Sequence, residues 1–269
     1  LGGHSLLATR LTHRLGRALD IRVPLRLVFE HPVLADLAQH LPRFGDRHLP
    51  IPRAPRVRNP DGTITLPATS GQKRLWLLCS LDPRAARAYR IAGGASISGP
   101  LDRRAMVDAI GEVARRHEVL RTTLREEHGE VVQVVHPEWH GGFRDTAPVD
   151  GTPEGERELL ARWTEAAVDL SEGPLFRADL VRRPDDTHLL MLSLHHTVAD
   201  GWTLTLLLEE IAHLYCASVA GESPAESRPA PHPQYGDFAH WQAGSPRDEE
   251  GLAYWRDRLA GAAEPDLPT

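Results

Sequence analysis

Leu6, Leu7, Leu11, Leu15, Ala18 and Leu19 recur every three or four positions, with Ser5 just before them as an N-cap. The spacing predicts an amphipathic helix over 6–19. Asp20 to Arg22 break the pattern, Pro24 starts a short helical turn, and Pro32 sits in the first turn of a third helix carrying Val33, Leu34, Leu37, Ala38 and Leu41. Residues 1–41 read as a small helical unit. Three such helices bury too little surface to be stable alone, so a further packing element is expected upstream of Leu1.

From 42 to 66 the periodicity lapses. Pro42, Pro50, Pro52, Pro55 and Pro60 stand among arginines with few large apolar groups, the composition of an extended, semi-stiff connector. Beyond it helical and alternating patterns mix. They predict helices over 70–81, 102–117, 153–168 and 202–217, and strands over 88–98, 120–126, 131–135, 176–182 and 188–194, with a hairpin turn at Gly129. A loop over 218–233 and short helices finish the chain. The expected organisation is a helical unit at 1–41, a linker at 42–66 and an α/β domain at 67–269.

Of the 269 residues, 41% are hydrophobic and 25% charged, which excludes disorder of the whole chain and supplies apolar groups for two cores. Lys plus Arg number 31 against 37 Asp plus Glu, a formal charge of −6, and no basic stripe dominates a helix-length window; no nucleic-acid partner is expected. The two cysteines, Cys79 and Cys216, lie far apart beside apolar residues, so neither a disulfide framework nor a thiolate cluster is expected and a cytoplasmic location fits. The longest apolar run, at 204–208, falls far short of a membrane span, so no membrane partner is expected either. Leu1-Gly2-Gly3 lacks an initiating Met and opens directly on a motif, as expected of a segment cut from something longer.

In Gly2-Gly3-His4-Ser5-Leu6 two glycines allow close approach of the backbone, and a hydroxyl stands where a helix N-terminus projects unpaired N–H groups that favour a phosphodiester. An ordinary N-cap fits the same serine. This string, with Phe29-Glu30-His31-Pro32 and the last helix, resembles the peptidyl carrier proteins of nonribosomal peptide synthetases. The resemblance covers residues 1–41 and lacks that family's first helix. It implies that Ser5 carries 4'-phosphopantetheine, whose thiol holds a growing chain as a thioester. Ser5 is then an attachment site, since no acid or base of a triad accompanies it.

His195-His196-Thr197-Val198-Ala199-Asp200-Gly201-Trp202 follows the apolar strand and precedes the long helix, on a strand-to-helix turn of the kind that exposes side chains from a rigid scaffold. Neighbours on extended backbone face opposite ways, so His195 and His196 do not readily chelate one ion together and no metal is expected. Core histidines with backbone partners are one reading. In another, His195 points into the core and His196 into a cleft, where an imidazole exchanges a proton near neutral pH. Asp200 either accepts from a histidine N–H or pairs with an arginine, and Gly201 leaves room for close approach.

The resemblance extends here, because His195-His196-x-x-x-Asp200-Gly201 is the signature of the condensation domain of the same synthetases. Ser70-Gly71-Gln72-Lys73-Arg74-Leu75-Trp76 and Arg116-His117-Glu118-Val119-Leu120-Arg121-Thr122 resemble its first and second motifs. Asp169-Leu170 with Gly173-Pro174-Leu175-Phe176-Arg177 is similar to a further recurring stretch. Tyr235-Gly236-Asp237-Phe238-Ala239-His240-Trp241 is similar to the fourth motif, and Tyr254-Trp255 follows it. Trp76, Trp241 and Trp255 read as core aromatics and Tyr235 and Asp237 as structural. Arg121 reads as the ion-pair partner of Asp200, with Arg116 the other candidate.

The resemblance implies an all-α carrier fragment, a helical bundle, followed by an α/β lobe like that of chloramphenicol acetyltransferase, with a mixed sheet flanked by helices. In that family two lobes form a V with the histidine motif at their junction, and pantetheine arms enter a tunnel from opposite ends. The implied enzyme is an acyltransferase: the amine of an acceptor aminoacyl thioester attacks a donor acyl or peptidyl thioester and an amide forms. His196 is the implied catalytic residue, supported by His195, Asp200, Gly201 and Arg121. Implied partners are a phosphopantetheinyl transferase, an upstream adenylation domain, a downstream acceptor carrier and a second condensation lobe, which this chain lacks; the segment alone is expected to be inactive. The sequence departs from the family pattern at Arg90, where Asn usually follows the Tyr, and at Gly71, where Ala is usual. Paired histidines disfavour the cyclisation branch, which has aspartates there. An epimerisation-type relative and a non-catalytic docking or recruitment module are the alternative readings.

Overall fold

The computed structural model describes residues 5–21, 23–41, 51–82, 84–146, 152–165, 168–184, 186–223, 225, 231–245 and 249–262. The chain divides into two compact units, Leu1–Ile51 and Pro52–Thr269.

In the first unit, α1 (Ser5–Leu19), α2 (Leu25–Glu30) and α3 (Leu34–His40) follow the predicted order. Ser5 is the first residue of α1; Gly2, Gly3 and His4, and the Ser5 side chain, lie outside the described residues. Pro24, with φ of −63°, precedes α2, where its missing N–H costs nothing. Leu27, Leu37 and Leu41 are buried and pack with Leu15, Ile21, Val23 and Val28. Leu7, Leu11 and Leu19 of α1 stay exposed, so this core is narrow.

The second unit begins earlier than the proline-rich composition suggested. Residues 42–50 of the expected linker lie outside the described residues, but 52–66 belong to the second unit. Ala54 is buried with Ile64, Leu66 and Val135, and β1 (Ile64–Pro67) pairs with a later strand. Pro67 is tolerated because β1 is an edge strand and needs a ladder on one side only.

After β1, α4 (Ser70–Leu81) starts at a capping box in which Thr69 and Gln72 satisfy each other's backbone. There follow α5 (Ala85–Ala88), β2 (Arg90–Ile97) and α6 (Arg103–Arg116), the last capped by the Asp102 carboxylate on the Ala105 N–H at 3.0 Å. β3 (Thr122–Glu127) and β4 (Glu130–Val135) form a hairpin. Its two turn residues, His128 and Gly129, have φ of 54° and 80°, the left-handed pair that a two-residue turn requires. Then come β5 (Phe143–Thr146), α7 (Pro153–Glu165), β6 (Phe176–Arg182), β7 (His188–His195), α8 (Thr203–Val219), α9 (Tyr235–Gly244) and α10 (Glu249–Leu259). The sequence pattern missed β1, α5 and β5, four-residue elements too short to show a period.

One sheet has the order β1-β4-β3 and is antiparallel; the other has the order β2-β7-β6-β5, with β5 parallel to β6 and the rest antiparallel. This is the expected mixed sheet flanked by helices. The central strand β7 is buried on both faces. Its Leu190, Leu192 and Leu194 join Ile110 and Val113 of α6 and Ile211 and Leu214 of α8 in the main core. Met191, on the opposite face, packs with Leu159 of α7 and Val181. Each fully buried side chain of this size contributes ~1.5–3 kcal/mol through area removed from water.

Two of the three expected core tryptophans are not in a core. Trp76 packs against Leu124, Leu170 and Val198, but Trp241 and Trp255 are 47% and 58% exposed, on α9 and on a helix, α10, with no buried residue among those described. Ring size favours burial only on the side of a helix that meets a second apolar surface: α9 turns Gly236 and Ala239, and not Trp241, toward its neighbours, and α10 has no buried residue among those described. No helix among the described residues is long and apolar enough to cross a membrane.

Candidate functional site

The predicted strand-to-helix turn is the link between β7 and α8. His195 pairs with Arg90 across the ladder, and its N–H donates to the Leu175 carbonyl at 2.9 Å. Strand alternation sends its ring away from Leu194 and the main core, toward α4. The ring is 1% exposed. Thr197 N–H donates to Nδ1 at 3.2 Å, so Nδ1 is an acceptor and Nε2 carries the proton, facing the Cys79 sulfur at 3.9 Å. Burial, helped by the nearby His196 and Arg90 charges, lowers the His195 pKa from 6.5 to about 4. This imidazole is neutral at pH 7.

A stability consequence follows. The unfolded chain takes up the His195 proton below pH 6.5 and the folded chain only near 4, so the stabilisation is complete above 6.5 and drains as pH falls toward 4. The loss expected from this group is at most ~3 kcal/mol. Urea midpoints at pH 7 and pH 5 should differ, and His195→Asn should flatten that slope; an unchanged slope would show that the ring is not held neutral by burial.

His196 goes the other way. Its N–H donates to the Tyr89 carbonyl at 2.8 Å, extending the β2–β7 pairing by one residue, and the side chain is then exposed on the turn. The Tyr89 ring stands edge-on to it at 6.4 Å. His196 lines a cavity of about 440 Å³ together with His117, Asp200, Glu210 and Tyr235, against an apolar wall of Leu206 and Leu207.

The first motif holds this turn from beneath. Gln72 is buried, and its side-chain N–H groups donate to the Thr197 carbonyl at 3.0 Å and to Gln133 Oε1 at 3.2 Å. Gln133 in turn donates to the Pro67 carbonyl at 2.8 Å. The backbone carrying both histidines is thus tied to α4 and to the three-stranded sheet. Gly201 has no positive φ, and a Cβ there would meet nothing within 4 Å, so the turn leaves open space at that position.

The expected Arg121–Asp200 ion pair is not formed. One Asp200 oxygen accepts from Trp202 N–H and Thr203 N–H, both at 3.1 Å, and from the Thr203 hydroxyl at 2.8 Å, a local Asx turn that leads into α8. Arg121 instead donates to the His136 carbonyl. Arg116, the other candidate, pairs with Glu210 at 2.7 Å. Asp200 needs no cation because three local donors already satisfy it.

Glu210 and His117 are the residues that motif reading left without a role. The Glu210 carboxylate accepts from Arg116 Nε and faces His117 Nε2, each at 2.7 Å. Burial alone would raise its pKa, but the hydrogen bonds and charges of His117 and Arg116 outweigh it and bring the value down from 4.5 to about 2. The signal in the sequence is a carboxylate one residue before Ile211 and three after Leu207, on the core-facing stripe of an apolar helix. The Tyr235 hydroxyl lies 3.1 Å from the Thr69 hydroxyl, and the residue also lines the cavity.

Comparison with known proteins gives matches over both units. Residues 63–269 match the family described as Condensation domain, and residues 1–41 the family described as Phosphopantetheine attachment site. One of the linear gramicidin synthase polypeptides of Brevibacillus parabrevis is 38% identical over 279 residues, covering 100% of this chain and 5% of that protein. Cyclosporin synthetase of Tolypocladium inflatum is 36% identical over 264 residues, covering 97% of this chain and 2% of that protein. Among solved structures, the X-domain in complex with OxyB from teicoplanin biosynthesis has a TM-score of 0.67 at 28% identity, covering 81% of this chain and 48% of that one. The first condensation domain of the CDA synthetase has a TM-score of 0.61 at 25% identity, covering 77% of this chain and 53% of that one. The chain therefore spans a few per cent of these curated relatives and about half of these solved chains.

Proposed function

Since this chain belongs to the condensation-domain family, with a phosphopantetheine-attachment segment ahead of that domain, we propose that it is a donor carrier and the histidine-bearing lobe of a peptide-bond-forming acyltransferase. The observation that carries this reading is the split of the histidine pair: His195 is buried and neutral, while His196 stands exposed on a cavity wall. A recruitment surface needs no such pair.

Ser5 fits the attachment role by its place. It opens α1, and the first turn of that helix holds no acidic side chain, so unpaired N–H groups meet a phosphodiester without an opposing carboxylate. The group supplies a thiol that holds an acyl chain as a thioester. Treatment of the chain with a phosphopantetheinyl transferase and coenzyme A should add the mass of a single phosphopantetheinyl group, and Ser5→Ala should abolish the increment. An increment that survives Ser5→Ala would place attachment elsewhere.

His196 takes the proton that an attacking amine loses as the C–N bond forms and the C–S bond breaks. An α-amine has a pKa of roughly 7.7–8.0, so a sizeable fraction is neutral at pH 7 without help, and orientation of the amine by the ring is the larger part of the contribution. His195, Asp200 and the Gln72 contact hold the turn still while this happens. Partners consistent with the reading are an upstream adenylation domain and a downstream acceptor carrier. The free thiols of Cys79 and Cys216 accord with a cytoplasmic setting.

A docking module is a second reading, supported by the X-domain neighbour, which is described in complex with OxyB. Amide formation by a chain carrying this segment within a whole condensation domain separates the two. Product supports catalysis; loading of Ser5 with no product supports docking.

A further inference from the structure

Outside the cavity, three ligating side chains converge in the first unit. His31 closes α2, and Asp36 and His40 lie one helical turn apart on α3, so they project from one face of that helix. Pro32 and Val33 turn the chain so that the His31 ring stacks on the His40 ring, centroids 3.7 Å apart and planes at 17°. The Asp36 carboxylate reaches both rings. Its Oδ2 is 2.7 Å from His31 Nδ1 and its Oδ1 3.3 Å from His40 Nδ1, and the ligand atoms of all three residues lie within 4.8 Å of one another. The imidazoles are 23% and 25% exposed and the carboxylate 46%, which leaves the cluster open to an ion and to water.

We propose that His31, Asp36 and His40 form a binding site for a divalent transition-metal ion of the zinc class. Two imidazoles and one carboxylate, with a position left for water, are the ligand types and number of an open zinc site. Imidazole nitrogen selects zinc over magnesium or calcium, which take oxygen sets. Each Nδ1 faces an oxygen, His31 the carboxylate and His40 the Asp36 carbonyl at 2.9 Å, so each carries a proton there. On binding, each Nδ1 proton gives way to the cation, and the two rings turn out of their stack so that both Nδ1 lone pairs and the carboxylate aim at one ion. The bound ion ties the end of α2 to α3, adding to the apolar contacts of Leu27, Leu37 and Leu41 in the core of this unit.

The site stands apart from the carrier and condensation reading and is tested without it. Titration calorimetry of the tag-free chain with zinc chloride should show one equivalent bound at micromolar concentrations, with magnesium chloride giving none. His31→Gln, Asp36→Asn and His40→Gln should each weaken binding about tenfold or more. Zinc should also raise the thermal midpoint of the parent chain and leave that of the His31→Gln/His40→Gln double variant unmoved. Because 15 histidines and two cysteines are present, cobalt(II) on the unmutated chain provides a reading that needs no variant: visible bands without a thiolate charge-transfer band are expected. A thiolate band, zinc binding unchanged in the double variant, or no zinc binding would each overturn the proposal.

Discussion

His196→Ala lowers amide formation by about 10²–10⁴-fold, the scale of losing a group that both orients a nucleophile and accepts its proton, while loading of Ser5 proceeds at the parental rate. The measurement is product formation by a chain that carries this segment within a whole condensation domain, with donor and acceptor carriers charged beforehand. The expectation rests on geometry: the His196 ring is exposed on a cavity whose other polar members are already engaged. Glu210 is shared between Arg116 and His117, Asp200 accepts from Thr203, and Tyr235 faces Thr69. The pH profile divides the two parts of the role. If the ring mainly accepts the proton, the parent-to-variant ratio of turnover should fall as pH rises and hydroxide replaces the lost base; if it mainly orients the amine, that ratio should stay constant across pH, because neutralisation of the amine affects both proteins alike. Near-parental turnover in His196→Ala would remove the residue from catalysis. His195→Ala should instead cost soluble protein, since it deletes a fully buried ring that the Thr197 N–H needs as acceptor.

Asp237→Ala is expected to cost about 3–5 kcal/mol of the second unit's stability, the scale seen when one partner of a buried charged cluster is removed. Asp237 is 2% exposed and receives three donors: Ala54 N–H at 2.9 Å, Gln234 N–H at 2.8 Å and the Arg56 guanidinium at 2.8 Å. Alanine strands both amides and leaves Arg56 to Glu118, which it already holds through two nitrogens. A domain's whole stability is about 5–15 kcal/mol, so the variant falls near the folding threshold. Asp237→Asn keeps one acceptor oxygen but turns an amide donor toward a backbone donor, and should land between parent and alanine. Urea midpoints of the three proteins check the order. A shift below about 1 kcal/mol for alanine would show that the contact is incidental, on the scale of an exposed ion pair.

The same carboxylate sets an acid limit. Burial alone would raise the Asp237 pKa, but the two amides and Arg56 outweigh it and lower the value. The contribution is therefore present above the ordinary carboxylate range and is lost as pH falls below it, in a more acidic window than the His195 loss.

The long elements were legible because period and punctuation agreed: α1, α4, α6, α7, α8 and the strands β2 to β4, β6 and β7 all lie within a few residues of their predicted bounds. The opposite facing of His195 and His196 was legible for the same reason, since alternation on a strand is a local rule. What stayed hidden depended on partners distant in the chain. Proline-rich composition suggested a linker over 52–66, yet Ala54 N–H and Arg56 meet Asp237 more than 180 residues on, and no local pattern encodes that contact. The match of a guanidinium to a carboxylate suggested that Arg121 serves Asp200, but the Asp200 carboxylate found its donors two and three residues away, and Arg116 and His117 found Glu210 more than 90 residues away. Trp241 and Trp255 were read inward from ring size, while their exposure depends on which surfaces face α9 and α10. Local order along the chain was thus enough to assign the main helices and strands, the turn that carries the histidines and the opposite facing of the pair; which of the two faces outward came only from the fold. Which charge meets which emerged only from the folded arrangement, because an ion pair depends on the separation of two side chains in space, and separation along the chain does not report it.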